Sequence, residues 1–242
     1  MNMAPAVALS NVSKSFVMHL QDGVSLPVMR DVTFAVMPGE CVVLGGPSGI
    51  GKSSLLKLIY ANYRCDNGRI LVRDAGEEID IVAAEPRRIV RLRRSVIGYV
   101  SQFLRVIPRV STLDIVMAAA REAGEDKEQS EATVRALLIR LNLPERLWSL
   151  PPATFSGGEQ QRVNIARGFA GHHRILLLDE PTASLDALNR EVVIGLIAEK
   201  KVAGTALVGI FHDQDVRDRV ADRIIDITQF APSPSHERAP GP

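Results

Sequence analysis

The sequence predicts an α/β fold in which a mainly parallel sheet core is joined by an antiparallel β layer and an inserted helical subdomain. Three observations favour this class. Short apolar segments of strand length alternate with segments of helical spacing along most of the chain. Alternating polar and apolar residues come before the first helix, which is typical of half-buried antiparallel strands. A long helical stretch separates the earlier strands from the later ones.

The composition limits the kind of protein this chain can be. It has 242 residues, 46% of them hydrophobic, so it can bury a substantial core without disulfides or metals. The 29 basic and 28 acidic residues leave a net charge of +1, and we expect no nucleic acid as a partner. No segment approaches 18 uninterrupted apolar residues, so we expect no direct membrane span and a cytoplasmic location. If the protein works at a membrane, another chain must supply the span.

The first 36 residues predict antiparallel strands. Val32, Phe34 and Val36 point to one side of a strand, while the residues between them point to the other side. Residues 69–72 repeat this character after the first predicted helix. We expect these strands to form one small layer beside the central sheet.

A glycine-rich segment lies between a buried strand predicted at 40–45 and a helix predicted at 52–62. It fits the phosphate-binding pattern G-x-x-x-x-G-K-[ST] in full. Its glycines let successive amide groups point inward, and the helix start adds the positive end of its dipole. The alternative is a turn that binds nothing, which the flanking strand and helix disfavour. The pattern comprises Gly46, Pro47, Ser48, Gly49, Ile50, Gly51, Lys52 and Ser53, and we add the adjacent Ser54.

This pattern predicts a nucleoside triphosphate and Mg²⁺ as ligands. Lys52 would reach the β and γ phosphates, and the Ser53 hydroxyl would ligate the metal. Phe16 is the one aromatic residue early enough in the chain to reach an adenine ring. Packing in the core explains Phe16 equally well, so both interpretations stay open.

Polar residues follow three further apolar strands, at the sheet edge where ligands bind in folds of this type. Gln102 is a candidate for contact with the metal and the attacking water. Asp179 can hold Mg²⁺, and Glu180 can accept a proton from the attacking water. His212 can contact the γ-phosphate, although a lone histidine is more often structural. The strands that lead to these residues are predicted at 96–100, 175–180 and 205–211.

A second anion-binding helix start follows the helical subdomain, which we place at 103–155. Ser156 is placed to cap the new helix, and Gly157 and Gly158 leave its first amide groups bare. We include Glu159 in this predicted binding segment.

Two other segments are interpreted as solvent-facing. An arginine-rich run at 86–94 could contact phosphate or an acidic partner, but a solvated helix face is the favoured interpretation. The last residues, 231–242, are rich in proline, and we expect a disordered tail.

In this order and spacing the motifs resemble an ABC-type ATPase domain, and the resemblance covers roughly residues 6–230. It implies a P-loop NTPase fold at 1–230, ATP and Mg²⁺ as cofactors, and Mg-dependent ATP hydrolysis. Two residues depart from the family's usual choice, because Glu159 replaces Gln and Phe16 replaces Tyr. The implied roles are Walker A for 46–53, the Q-loop for Gln102, the signature for 156–159, the Walker B pair for Asp179 and Glu180, the D-loop for Asp186, the switch for His212 and adenine stacking for Phe16.

The two phosphate-binding helix starts predict a dimer. They are separated by the helical insertion, so one chain cannot easily close both around one γ-phosphate. Two chains placed head to tail solve this problem. The family resemblance implies the same arrangement, in which ATP lies between the P-loop of one subunit and residues 156–158 of a second copy.

Four segments have a narrower resemblance, to the L subunits of the bacterial phosphonate carbon–phosphorus lyase system. This resemblance implies the other subunits of that system, a soluble lyase complex, as partners. It implies a supporting ATPase role in phosphonate catabolism, where α-D-ribose 1-methylphosphonate 5-triphosphate forms from ATP and methylphosphonate. No residue is identified for that transfer itself. The segments are 60–63, 100–109, 154–168 and 209–213.

Two alternatives are weighed against this function. The first is the ATP-binding subunit of an ABC membrane transporter, in which residues 105–109 would contact a permease. The second is a DNA-repair type of ABC protein, which needs a long coiled-coil insertion. The stretch 102–156 is too short to hold one.

Overall fold

The structure is a computed structural model that describes residues 4–18, 24–104, 108–122 and 127–232. Within these residues the strands form two sheets, the antiparallel layer and the parallel core that the sequence predicts. The antiparallel sheet has the order β2-β1-β4-β5 and consists of β1 (Val7–Met18), β2 (Val24–Val36), β4 (Asn67–Asp74) and β5 (Glu77–Asp80). The parallel sheet has the order β6-β7-β8-β3-β9 and consists of β3 (Cys41–Gly45), β6 (Ile97–Val100), β7 (Ile175–Asp179), β8 (Ala206–Ile210) and β9 (Arg223–Asp226).

The helices connect and cover these strands. They are α1 (Lys52–Ile59), α2 (Pro86–Ser95), α3 (Thr112–Glu122), α4 (Lys127–Arg140), α5 (Gly157–Ala170), α6 (Ala187–Val202) and α7 (Gln214–Val220). Helix α1 is shorter than predicted because Ala61 takes a left-handed conformation with φ +58°. The Ala61 amide then donates to the Leu58 carbonyl, and the Asn62 amide donates to the Lys57 carbonyl. This pair of hydrogen bonds is a Schellman motif, which ends a helix.

Strands β3, β7 and β8 of the parallel sheet are buried on both faces, and their side chains are divided between two cores. In β3, Cys41 and Val43 pack with the helical segments and α5, while Val42 and Leu44 pack with α1 and the antiparallel sheet. A strand that is covered on both faces needs apolar residues at every position. This is why the strands of the core stand out as continuous apolar runs in the sequence.

The residues between β6 and α5 are mainly helical. Leu138, Leu141 and Trp148 are buried there, and the Trp148 Nε1 donates to the Leu143 carbonyl at 2.9 Å. The bounds 103–155 for an inserted subdomain and 1–230 for the whole domain remain predictions. Residues 105–107, and most of the predicted tail from residue 233 onward, lie outside the described residues.

The arginine-rich helix α2 corrects one prediction, because Arg93 is half-buried and hydrogen-bonded to the protein rather than only to solvent. Arg93 donates from Nε to the Tyr60 carbonyl at 2.9 Å and from Nη2 to the Ala61 carbonyl at 2.8 Å. Carbonyls just past the end of a helix lack intrahelical partners, and a guanidinium supplies them. Arg93 therefore joins α2 to the end of α1.

Candidate functional site

The phosphate-binding loop folds tightly between β3 and α1. Gly51 has φ +106°, and a Cβ there would lie 2.6 Å from Cγ1 of Val28, so both the backbone and the space require glycine. Lys52 is buried, and its Nζ donates to the carbonyls of Gly46 and Pro47 at 2.7 Å each. Burial lowers the pKa of Lys52, and the nearby Glu180 charge acts in the opposite direction. The ammonium group is thus positioned inside the loop.

A hydroxyl and a carboxylate meet where α1 approaches β7. Ser53 Oγ donates to Oδ1 of Asp179 at 2.9 Å, and the Tyr99 hydroxyl donates to Oδ2 at 2.8 Å. Burial, followed by the Asp179 charge, raises the pKa of Tyr99, which keeps its hydroxyl a donor.

Ser53 and Asp179 carry the types of oxygen ligand that a magnesium site needs. Mg²⁺ is usually held by one or two carboxylates together with substrate phosphates, rather than by a cage of protein ligands. Within the described ranges, no three His, Cys, Asp or Glu side chains group into a metal site of their own. Ser53 and Asp179 therefore fit a metal ion that shares its ligands with a nucleotide.

Glu180 brings the predicted catalytic side chains together. Its Oε1 lies 2.7 Å from Nε2 of His212, and its Oε2 accepts from Nε2 of Gln102 at 3.2 Å. The residue has φ +53°, which is uncommon outside glycine, and its amide donates to the Ile210 carbonyl of β8 at 3.1 Å. Backbone strain of this kind often occurs at functional sites. The neighbouring strand thus holds Glu180 in a conformation that directs its carboxylate toward both partners.

Glu180, His212 and the phosphate-binding loop line a cavity of about 170 Å³, whereas Gln102 and Asp179 do not line it. Pockets that enclose a whole small molecule are larger, roughly 300 Å³ or more. The cavity therefore suits a phosphate chain better than a complete nucleotide, and the signature residues 156–159 do not line it. Its lining residues are Ser48, Gly49, Gly51, Lys52, Ser53, Ser54, Glu180 and His212.

The predicted helix cap at Ser156 is present and uses Glu159. Ser156 Oγ accepts from the Glu159 amide at 3.4 Å, while the Glu159 carboxylate accepts from the Ser156 amide at 2.9 Å and from its hydroxyl at 2.7 Å. This reciprocal arrangement is a capping box, which either Glu or Gln can complete. The hydrogen bonds from Ser156 lower the pKa of Glu159. Contact of residues 156–159 with a nucleotide remains a prediction.

Two other predicted binding residues lie away from the cavity lining. The Phe16 ring packs edge-on against Tyr63 with the centroids 5.2 Å apart, and Nζ of Lys14 lies 5.2 Å from its centroid. Asp186 caps α6 by accepting from the Asn189 amide at 2.8 Å, and this hydrogen bond lowers the pKa of Asp186. Adenine stacking by Phe16 and the D-loop role of Asp186 remain predictions.

Tyr99 is not among the residues predicted from the sequence, although it contacts a predicted metal ligand. The available signal was a tyrosine three residues before Gln102, in a predicted strand. Recognising its partner requires knowing that β6 lies beside β7, because the hydroxyl of one strand meets the carboxylate at the end of the other.

The sequence matches the family described as ABC transporter over residues 29–183, which is more than half of the chain. The chain belongs to this family. It is similar to LolD 2 of Caulobacter vibrioides, a lipoprotein-releasing system ATP-binding protein, at 38% identity over 91% of this chain and 93% of the relative. It is 34% identical to the macrolide export ATP-binding/permease protein MacB of Marinobacter nauticus, over 94% of this chain and 34% of that protein.

A solved structure supports the same assignment. The ATP-binding cassette MJ0796, in a dimeric post-hydrolysis state bound to ADP and Pi, superposes with a TM-score of 0.81 and 29% identity. The match covers 91% of this chain and 94% of that one. The chain is thus an ABC ATPase with the predicted P-loop fold.

These comparisons do not support the narrower resemblance that the sequence suggested. The relatives described above are ATP-binding proteins of transport systems by name, and neither is a subunit of a carbon–phosphorus lyase system. In the part of the chain that the structure describes, no helix has the length and apolar character needed to cross a bilayer.

Proposed function

We propose that this ABC ATPase binds ATP with Mg²⁺, hydrolyses it between two copies of the chain, and drives a partner as the dimer closes and opens. The observation that carries the proposal is the small cavity where Lys52, Ser53, Glu180 and His212 meet. Its volume suits the phosphate chain alone, which leaves the rest of the nucleotide to other surfaces. The dimeric state of MJ0796 with ADP and Pi supports a second copy as one of those surfaces.

Each side chain has one task in the proposed mechanism. Lys52 binds the phosphate oxygens, while Ser53 and Asp179 would hold the metal. A bound Mg²⁺ would supply positive charge that offsets the negative charge developing on the phosphate oxygens. Glu180 accepts the proton of the attacking water.

Two neighbouring side chains determine the orientation of the Glu180 carboxylate. His212 donates to one of its oxygens if the imidazole carries its proton on Nε2, and Gln102 donates to the other. A carboxylate held at both oxygens keeps a fixed orientation toward the water that it activates.

Lysine replacement tests nucleotide binding directly. We expect Lys52→Ala to abolish binding of a fluorescent ATP analogue, because the change removes the one ammonium group inside the loop. Lys57→Ala is the matched control, since Lys57 is in the same helix but does not line the small cavity. Equal binding by Lys52→Ala and wild type would overturn the proposed site.

We propose a membrane transport complex as the partner that the relatives favour. LolD 2 and MacB are named for lipoprotein release and macrolide export, and the chain covers nearly all of LolD 2. The partner of the ATPase would then be a permease.

A soluble carbon–phosphorus lyase complex is the second candidate, and the segment after Gln102 favours it. Residues 100–109 carry the sequence on which the narrower resemblance rests. Phe103 is 75% exposed beside Gln102, where a large apolar side chain suits contact with a partner. In this candidate function the ATPase supports phosphonate catabolism without transferring the ribose itself.

Two measurements distinguish the partners. The tagged full-length protein is captured from phosphate-starved and phosphate-replete cells, and the chains that come with it are identified. A permease supports transport, and lyase subunits support the second candidate. The second measurement is growth of a strain that lacks this protein, with methylphosphonate as sole phosphorus source. Only the second candidate predicts that the wild-type protein restores this growth and that Glu180→Gln does not.

A further inference from the structure

The Tyr99 hydroxyl makes a contact that the proposed mechanism does not use. It donates to Oδ2 of Asp179 at 2.8 Å, whereas Ser53 donates to Oδ1 at 2.9 Å. Asp179 is only 4% exposed, so water has little access to replace a lost donor. A carboxylate held by one donor at each oxygen cannot rotate about its last torsion without breaking a hydrogen bond.

The Tyr99 ring is itself held in place. Tyr99 pairs with Leu177 across β6 and β7, and its ring stacks on Tyr60 with centroids 5.0 Å apart and planes at 27°. The Arg93 guanidinium lies 4.9 Å from the Tyr60 centroid and also bonds to the Tyr60 carbonyl. These contacts fix the direction from which the hydroxyl reaches Asp179, as a supporting residue must.

We propose that Tyr99 is a positioning residue for Asp179, which its hydroxyl orients for the Mg²⁺ that binds with the nucleotide. This inference rests on the proposed metal site at Ser53 and Asp179. Without the hydroxyl, Oδ2 loses its donor and the carboxylate gains a rotation that a metal ion must then restrict. Removal of the hydroxyl therefore weakens nucleotide binding in the presence of the metal and leaves nucleotide binding without metal unchanged.

The test compares Tyr99→Phe with Tyr60→Phe. Both changes remove one hydroxyl and keep the stacked rings, but Tyr60 is not one of the two donors to Asp179. The dissociation constant of fluorescent ADP is measured with and without Mg²⁺. The constant without Mg²⁺ divided by the constant with Mg²⁺ is the ratio that isolates the contribution of the metal. We expect Tyr99→Phe to lower this ratio roughly tenfold, the effect of one hydrogen bond to a charged group. Tyr60→Phe should keep the wild-type ratio.

Two results would overturn the positioning role. One is a wild-type ratio in Tyr99→Phe, and the other is an equal loss of affinity with and without metal, which indicates a merely structural role. Asp179→Asn separates this inference from the proposed function. If Asp179→Asn keeps the wild-type ratio, the metal site itself is wrong and the inference falls with it. If only Asp179→Asn loses the ratio, the metal site stands and Tyr99 does not position it.

Discussion

At the scale of single residues, Glu180 is the side chain whose chemistry can be tested most sharply. Glu180→Gln keeps the shape and the possibility of hydrogen bonds to His212 and Gln102, but an amide cannot accept the proton. We expect ATP hydrolysis, measured as phosphate release, to fall by about 10²- to 10⁴-fold while ATP binding persists. Glu191→Gln changes an exposed carboxylate that pairs with Arg219, and it should keep wild-type turnover. Equal turnover in Glu180→Gln and wild type would exclude Glu180 as the base.

The residue scale also shows what a sequence can reveal about a site. Lys52 and Ser53 were predictable because their spacing from the glycines is a property of one continuous segment. The contact of Ser53 with Asp179 joins residues 126 positions apart, and Tyr99 reaches Asp179 across 80 positions. Such pairs depend on which elements become neighbours in space. Ser53 and Asp179 each belong to a recognised motif, so the sequence can suggest that they meet. Tyr99 belongs to no such motif, so the sequence does not suggest its contact with Asp179.

At the scale of elements, the start of α5 depends on the capping box of Ser156 and Glu159. Glu159→Gln keeps a side chain that can complete the box, whereas Glu159→Ala leaves the Ser156 amide without that partner. We expect Glu159→Ala to lower the free energy of unfolding by about 1 kcal/mol, and Glu159→Gln to change it less. Chemical denaturation of both variants measures the difference. Wild-type stability in Glu159→Ala would show that the cap does not stabilise α5.

The same cap predicts a dependence on pH. Because hydrogen bonds from Ser156 lower the pKa of Glu159, the folded state favours the ionised carboxylate. The stability that results is complete above the ordinary glutamate pKa of about 4.3, and it is lost as the pH falls through the lower folded-state value. Glutamine does not titrate, so the difference in Tm between wild type and Glu159→Gln should narrow as the solution is acidified. A difference that stays constant down to about pH 3 would contradict this account.

The elements themselves were predictable to the extent that burial determines them. Strands β3, β7 and β8 of the central sheet are covered on both faces, and they are apolar runs in the sequence. The end of α1 was not predictable in the same way, because Ala61 adopts the left-handed conformation that usually calls for glycine. The sequence predicts a solvated face for Arg93 because it shows the charge of this side chain. It does not show which carbonyls lie near Arg93 in the fold.

At the scale of the whole molecule, the arrangement of the two phosphate-binding helix starts leads to the most demanding test. Lys52→Ala disables the P-loop but leaves residues 156–158 intact, whereas Ser156→Arg blocks that segment and leaves the P-loop intact. If each pocket takes one half from each subunit, either variant alone is inactive. In a dimer of both variants, one pocket combines the two intact halves and the other combines the two damaged ones.

Mixing the two variants should therefore restore activity that neither has alone. Random mixing makes half of the dimers mixed, and each has one intact pocket of two, so about a quarter of wild-type phosphate release is expected. Ser149→Arg, which adds the same bulk at an exposed serine outside the predicted binding segment, should be active without mixing. If the mixture stays inactive while both variants remain folded, the shared pocket is wrong. A variant of Ser156 that is fully active alone would lead to the same conclusion, because the P-loop half would then suffice.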